Sequence, residues 1–488
     1  MIHPFPLLVV VLISGCAVGP DYQPPTLAVP EKWHGTSTTA KRAVPDQWWR
    51  TFNDKELDRL VSEAVNANLD YKIALARIKD ARAQRSITFA SGLPSLSAKS
   101  TASRRFNNSS GFSQSGGGAA SGGGFGIGNQ LINIFQMGFD AQWELDFFGG
   151  VHRAVEAADA TVESEVENSR DVLITLLGDV ARNYIELRAN QQLLEITRKN
   201  LAAQREVQAL SEVRRQSGLA SDLEVAQAQA QADTTEAQIP TYEAQIDQSI
   251  HASSVLLGRE PGALAARLES RAPIPAVTTT AIADLPSELL QRRPDIRRAE
   301  RQMAVANAAV GVATAELYPK VNLAAFIGLQ NTTIKDFTPI GKSWSTASTL
   351  TMPIFNWGKL NANIRSKKIQ YEQAFLSYQS TVLNAFKEVE DTLTVYHKEQ
   401  ARYQALEHAV GANQLAVQLA NERYEKGLTG FIDVLQSHQA LYQTETGLTD
   451  SYAKVSSNRV ALYKALGGGW GMDKKTVDEI MKNGKGIF

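Results

Sequence analysis

Cysteine, histidine and methionine, the soft and imidazole ligands of metal centres, are scarce in this chain. Its 488 residues include one cysteine, Cys16, so an internal disulfide is impossible and Cys16 is set apart from a packing role. The histidines His3, His34, His152, His251, His397, His408 and His438 form no HExxH pair and no other compact metal pattern. Met137, Met303 and Met352 are scattered, which argues against a methionine track for copper or silver. Gly341-Lys342-Ser343 ends like a phosphate-binding loop, but Asp336 stands where the earlier glycine is required and the following segment reads as strand. Charge is balanced, 50 Lys and Arg against 51 Asp and Glu, which disfavours nucleic-acid binding. The leading apolar run, residues 5–13, contains Pro6 and is too short for a permanent membrane helix. Enzymatic chemistry, a resident metal and an organic cofactor are therefore not expected.

What is present is length and periodicity. Phe139, Ala141, Trp143, Leu145 and Phe147 alternate with Asp140, Gln142, Glu144 and Asp146, the pattern of a strand with an apolar and a polar face. After Phe148-Gly149-Gly150 the period changes, and Leu173, Leu177, Val180, Tyr184 and Leu187 mark a heptad seam. Residues 151–217 contain no proline and one glycine, Gly178. A helix on the order of 100 Å long is permitted there at 1.5 Å per residue.

The same unit occurs twice. Phe148-Gly149 recurs as Trp357-Gly358 and Ser217-Gly218-Leu219 as Lys426-Gly427-Leu428, each 209 positions on. The seam residues Leu177, Val180, Tyr184 and Leu187 recur at the same offset as Phe386, Val389, Leu393 and Tyr396. Upstream the offset is 225: Leu69-Asp70-Tyr71 matches Pro294-Asp295-Ile296, and Leu93-Pro94-Ser95-Leu96 matches Tyr318-Pro319-Lys320-Val321. One insertion of 16 residues between Leu96 and Gly138 reconciles the two offsets, and a Gly/Ser-rich run at 111–128 lies there. Length variation in an exposed loop costs little.

Each half supplies one hairpin of strands, at about 94–104 and 138–148 and at about 320–330 and 344–355. Strands of roughly ten residues match a tilted crossing of a bilayer. Four strands cannot close a barrel, and unpaired edges are not tolerated in lipid. Three copies would supply twelve strands, enough for a water-filled pore. A four-stranded soluble sheet resting on helices is the alternative. Each long helix, 151–217 and 359–426, matches in length two shorter helices placed end to end: 57–90 with 221–257, and 287–317 with 429–466. This predicts antiparallel helical hairpins projecting from the barrel, with a local kink at Pro240.

The amino terminus reads as a targeting segment. Leu12-Ile13-Ser14-Gly15 before Cys16 resembles the bacterial lipobox, in which the cysteine is lipidated and becomes the first mature residue, although the segment before it carries no Lys or Arg. An incidental cysteine in a secretory signal is the other reading. By resemblance to lipoproteins of enteric bacteria, Ala17 after the cysteine favours the outer membrane. The expected divisions are a signal peptide at 1–15, an extended tether at 16–46, repeat one at 47–258, a linker at 259–285, repeat two at 286–470 and a tail at 471–488.

The string 285–296, Leu-Pro-Ser-Glu-Leu-Leu-Gln-Arg-Arg-Pro-Asp-Ile, resembles the TolC-like outer-membrane efflux proteins, in particular their lipoprotein (NodT-type) branch. So do Met352-Pro353-Ile354-Phe355-Asn356-Trp357-Gly358, Arg423-Tyr424-Glu425-Lys426-Gly427-Leu428, Ala465-Leu466-Gly467-Gly468-Gly469-Trp470 and Trp48-Trp49. The resemblance implies a mainly α fold with a membrane β-barrel: a homotrimer with a twelve-stranded barrel and long coiled-coil hairpins forming a periplasmic tunnel. It also implies a lipid-anchored protein of the bacterial outer membrane that docks to a periplasmic adaptor and an inner-membrane RND-type pump. The function expected is a passive exit duct for drugs or other toxic small molecules. The alternatives are an outlet for type I protein secretion and a non-conducting coiled-coil envelope lipoprotein.

A duct needs a gate, and the hairpin tips are where it is expected. The first tip contains Gly218, Leu219, Ala220, Ser221 and Asp222, the second Gly427, Leu428 and Thr429, and both are candidates for adaptor docking. Ile432, Asp433 and Gln436 share a helical face, so three copies would form rings of an apolar and an acidic or amide residue. In the family an acidic residue stands at the position matching Gln436, where this chain has an amide. Asp433, three residues earlier, is a candidate for that charge, and Asp222 is grouped with it; the alternative is that both are solvated acids near helix N-termini. Arg214, Arg215 and Arg423 are candidate latches between hairpins. His438, near the proposed aperture, is expected as a plain helix-surface residue, with a lumen-facing position as the alternative.

Overall fold

The computed structural model describes residues 17–27, 30, 33, 45–107, 130–276, 286–336 and 341–483. Cys16, the segment 1–15, the glycine-rich loop, half of the remaining tether and residues 277–285 of the linker lie outside the described residues. The first half runs α1 (Lys55–Ala67), α2 (Leu69–Ala90), β1 (Ser95–Asn107), β2 (Gln130–Leu145), α3 (Gly150–Gln216), α4 (Asp222–Glu236) and α5 (Ile239–Leu256), followed by the short α6 (Ala265–Leu268). The second runs α7 (Pro286–Arg292), α8 (Pro294–Ala315), β3 (Lys320–Asn331), β4 (Lys342–Thr351), α9 (Lys359–Glu425) and α10 (Phe431–Ala465), and α11 (Lys474–Asn483) closes the chain. Both long helices have 67 residues. Among the described residues no helix is long and apolar enough to cross a membrane.

The structure breaks three helices that the periodicity reads as continuous. The first break is at Asn68, whose Nδ2 donates to the Leu256 carbonyl at 3.0 Å while its Oδ1 accepts the Tyr71 N–H at 2.9 Å. The second is at Arg293, 225 positions on, which precedes Pro294 and so is steered out of the helical region. Its Nη1 donates to the carbonyl of Ala465, the residue 209 beyond Leu256, at 2.7 Å. Gly258 and Gly467, also 209 apart, adopt left-handed φ of 65° and 69° beside these contacts. A Cβ on Gly258 would lie 2.7 Å from the Ala67 carbonyl oxygen, and one on Gly467 3.3 Å from that of Arg292. In each repeat, then, the end of the return helix is received by the gap in the leading one. The third break replaces the kink expected at Pro240: α4 and α5 are separate helices, and Pro240 sits in the first turn of α5, where no intrahelical N–H is needed.

The chain divides into two compact units that cut across the repeats. The first comprises the described part of Met1–Gln23 with Arg82–Thr161 and Met303–Ala374. It holds one antiparallel sheet in the order β1-β2-β3-β4. Strand β2 begins at Gln130, earlier than the alternation suggests, and β4 stops at Thr351, since Pro353 has no N–H for a ladder. Across β2 and β3, Phe139 faces Ile327 and Trp143 faces Leu323 on one side of the sheet. On the other, Glu144 faces Asn322 and Gln142 faces Ala324. Gly138 pairs with Gly328 under the Phe326 ring, and a Cβ on Gly138 would lie 2.7 Å from that ring. At one end of the sheet Phe148 stacks on Tyr318 at 4.7 Å, and the Val18 N–H donates to the Phe148 carbonyl at 3.1 Å. Arg153 secures the same segment through Asp21 at 2.6 Å and the Val18 carbonyl at 3.2 Å. Ala17, next to Cys16, lies against Gly149.

The second unit comprises Pro24–Ala81, Val162–Gln302 and Phe375–Phe488, within the described residues. The repeated heptad seam forms its core: Leu177, Val180, Tyr184, Leu187, Val389 and Leu393 are buried. Trp48 fills the same core and stacks on Tyr463 at 5.1 Å. Trp470 donates to the Arg292 carbonyl at 3.1 Å, and the guanidinium groups of Arg170 and Arg297 lie over its ring at 4.6 and 5.7 Å.

Candidate functional site

The two hairpin tips lie in the second unit and are built alike, 209 positions apart. α3 ends with Gly218 at φ 73°, its N–H donating to the Arg215 carbonyl at 2.9 Å and the Leu219 N–H to that of Arg214 at 2.8 Å. α9 ends with Gly427 at φ 68°, with bonds of 3.0 and 2.8 Å from Gly427 and Leu428 to Tyr424 and Arg423. Both are Schellman ends, which require a left-handed residue and hence favour glycine. The next helices start differently. Ser221 Oγ accepts the Glu224 N–H at 3.3 Å, whereas Gly430 offers no side chain and the Thr429 hydroxyl instead donates to the Asp433 carboxylate.

Leu219 and Leu428 are 68% and 65% exposed, and Leu223 and Ile432, equivalent in the repeat, are 65% and 48% exposed. Each tip therefore presents a pair of apolar side chains to solvent at equivalent positions. Ala220 is half-buried and Ser221 is exposed. Ile432, Asp433 and Gln436 are all exposed, while Phe431, Val434 and His438 on the opposite side of α10 are buried.

The candidate latches have separate roles. Arg215 pairs with Glu212 at 2.8 Å and Asp222 at 3.1 Å, closing its own tip, and its hydrogen bonds to Glu212 hold that carboxyl below its usual range. Arg214 reaches the other tip without a carboxylate. Its guanidinium lies 4.6 Å from the Tyr424 ring centroid and donates to the Tyr424 carbonyl at 3.1 Å. Tyr424 in turn donates its hydroxyl to Glu224 at 3.3 Å and packs edge-on against Phe431. Arg423 is exposed and makes no ion pair with a described residue. The Arg214–Tyr424 contact was not legible in the sequence, where a cation suggests a carboxylate partner.

His438 departs from its expected surface position. It is 7% exposed, with Nε2 3.3 Å from Asn421 Oδ1, and it borders a small cavity lined by Gln204, Val207, Ala228 and Gln231. No lining residue is charged, and burial alone pushes the imidazole pKa down. The unfolded chain then binds the proton more tightly, so the stability contributed here is full above a pH of about 6.5 and is lost as pH falls towards the lower folded value. Protection of the first turns of α10 against hydrogen exchange, taken relative to the intrinsic amide rate at each pH, is expected to fall on acidification from about pH 7 to about 5. His438→Gln should flatten that response, and an unchanged profile in the variant would assign the effect to other groups.

Residues 60–259 and 285–468 match the family model described as outer membrane efflux protein, one segment in each half of the chain. The chain is 30% identical over 484 residues to the solvent efflux pump outer membrane protein SrpC of Pseudomonas putida, covering 96% of this chain and 98% of that one. Nodulation protein T of Rhizobium leguminosarum bv. viciae is 30% identical over 481 residues, covering 97% and 95%. The solved outer-membrane channel OprN superposes with a TM-score of 0.85 at 31% identity, over 93% of this chain and all of that one, so the two-repeat fold is that of the TolC-like channels. By sequence and by fold, the chain belongs to the outer membrane efflux protein family, whose members are efflux ducts rather than enzymes.

Proposed function

We propose that three copies of this chain close a twelve-stranded barrel and act as the passive exit duct of a tripartite efflux system. The observation that carries this is the sheet of the first unit: four strands of 10 to 16 residues, mainly apolar on one side, where Arg104 and Asn133 interrupt it towards one end, and mainly polar on the other, with both edges unpaired among the described residues. Such edges are stable in lipid only when another chain completes the ladder. Cys16 carries the lipid anchor, next to Ala17 on the same unit. The exposed pairs Leu219 with Leu223 and Leu428 with Ile432, flanked by Gly218, Ala220, Ser221, Gly427 and Thr429, form the docking surface for a periplasmic adaptor, which joins the duct to an inner-membrane RND-type pump. The cargo is toxic small organic molecules, a reading supported by the relative named for solvent efflux.

Cells lacking the protein are expected to accumulate organic solvents and toxic amphiphiles, and the wild-type copy to restore export. A Cys16→Ser copy reports how far export depends on the anchor. Unchanged accumulation, with the pump partners expressed, would move the reading to polypeptide secretion or an envelope linker. At the aperture, Ile432, Asp433 and Gln436 form the gate. Asp433→Ala combined with Gln436→Ala is expected to increase passive uptake of large antibiotics several-fold, and unchanged uptake would remove both residues from the gate.

A further inference from the structure

The two repeats carry their offsets into the strand ladder. Shifting β1 by 225 and β2 by 209 turns the observed pair Ser95↔Gln142 into Lys320↔Thr351, which is the observed register of β3 with β4. The strand pairs of the two halves thus share one register, offset for offset. The chain also contains one junction between halves, β2 with β3, in which Ala141 pairs with Ala325 and Phe135 with Asn331. Closure by further copies needs a second kind of junction, from β4 to β1 of the next copy, and the same two offsets specify it.

We propose that β4 of one copy pairs antiparallel with β1 of the next in the register Leu350↔Ser100; this rests on the three-copy reading above. Met352 then faces Ala98, Ser348 faces Ala102 and Thr349 faces Thr101. Trp344, 75% exposed in the single chain, comes opposite Phe106, 59% exposed, an aromatic cross-strand pair that the offsets produce without having been chosen for it. A slip of one residue would turn the apolar side of β4 to the wrong face, and a slip of two would set Trp344 opposite Arg104. The end of the sheet agrees. Phe148 stacks on Tyr318 at the junction inside the chain, and the same offsets bring Trp357, 90% exposed, onto Leu93 of the next copy, 42% exposed. Gly358, which corresponds to Gly149 beneath Ala17, has no described atom of its own chain within 4 Å of its would-be Cβ, which leaves it open to the next copy.

The test is cysteine cross-linking of the full-length protein in outer membranes. Directly opposite residues reach disulfide geometry and diagonal ones do not. Leu350→Cys with Ser100→Cys probes one side of the sheet, and Thr349→Cys with Thr101→Cys the other. Ala141→Cys with Ala325→Cys reports, within one chain, that the sheet has formed. Oxidation is expected to give reducible dimers and trimers from at least one direct pair, about fivefold above Leu350→Cys combined with Ala98→Cys or Ala102→Cys. Stronger cross-linking from a diagonal pair would overturn the register and leave the three-copy closure standing. Absence of linked copies in every variant, with the internal disulfide formed, would overturn both.

Discussion

Arginine at Ile327 is expected to abolish the assembled oligomer in the outer membrane. Ile327 lies towards the middle of β3, 65% exposed, paired with Phe139 on one side and Trp344 on the other. All three belong to the apolar side of the sheet, which in the proposed barrel meets hydrocarbon. A charge near the midplane costs roughly 2–4 kcal/mol. Each of three copies would bear that cost, so the assembled fraction should fall by orders of magnitude. Asn322→Arg, on the polar side of the same strand, should assemble normally because its side chain faces water. The comparison is made by unheated gel electrophoresis of outer-membrane fractions. Equal assembly of the two variants would mean that the apolar side does not face lipid.

The second large effect is expected at Arg293, in the string on which the family resemblance rests. Its side chain is 11% exposed and bonds Asp295 through Nε and Nη2 at 3.0 and 2.8 Å, Glu388 at 2.7 Å and the Ala465 carbonyl at 2.7 Å. Burial pushes the guanidinium pKa down, and the bonds and charges of Asp295 and Glu388 more than reverse it. Arg293→Met removes the cation while leaving two carboxylates and a carbonyl without their donor. Breaking a buried pair from one side costs roughly 3–5 kcal/mol, and the 44% exposure of the Glu388 side chain places this case near the lower end. Arg293→Lys should recover little, since an ammonium cannot span all three acceptors. Denaturant unfolding of the second unit provides the check, and a loss under about 1 kcal/mol would contradict the assignment.

The sequence alone carried the features that depend on local pattern. The offsets of 209 and 225, the proline-free stretches, the strand alternation and the glycines at 218 and 427 can all be read from neighbouring residues, because period and backbone freedom are local properties. The family resemblance rests on short strings of the same kind. Tertiary structure decided what depends on partners far along the chain. Asn68 interrupts its helix where its side chain bonds the Leu256 carbonyl, 188 positions away, a demand that no helical periodicity encodes; at Arg293 the break is set locally by Pro294, and what tertiary structure adds is the bond to the Ala465 carbonyl, 172 positions away. His438 is buried because α10 turns that side towards Gln204 and Asn421, and Arg214 finds an aromatic ring and a carbonyl in place of a carboxylate. Strand order and register likewise arise from pairing across the sheet: alternation assigns a residue to a face, and only the partner strand determines what lies beside it.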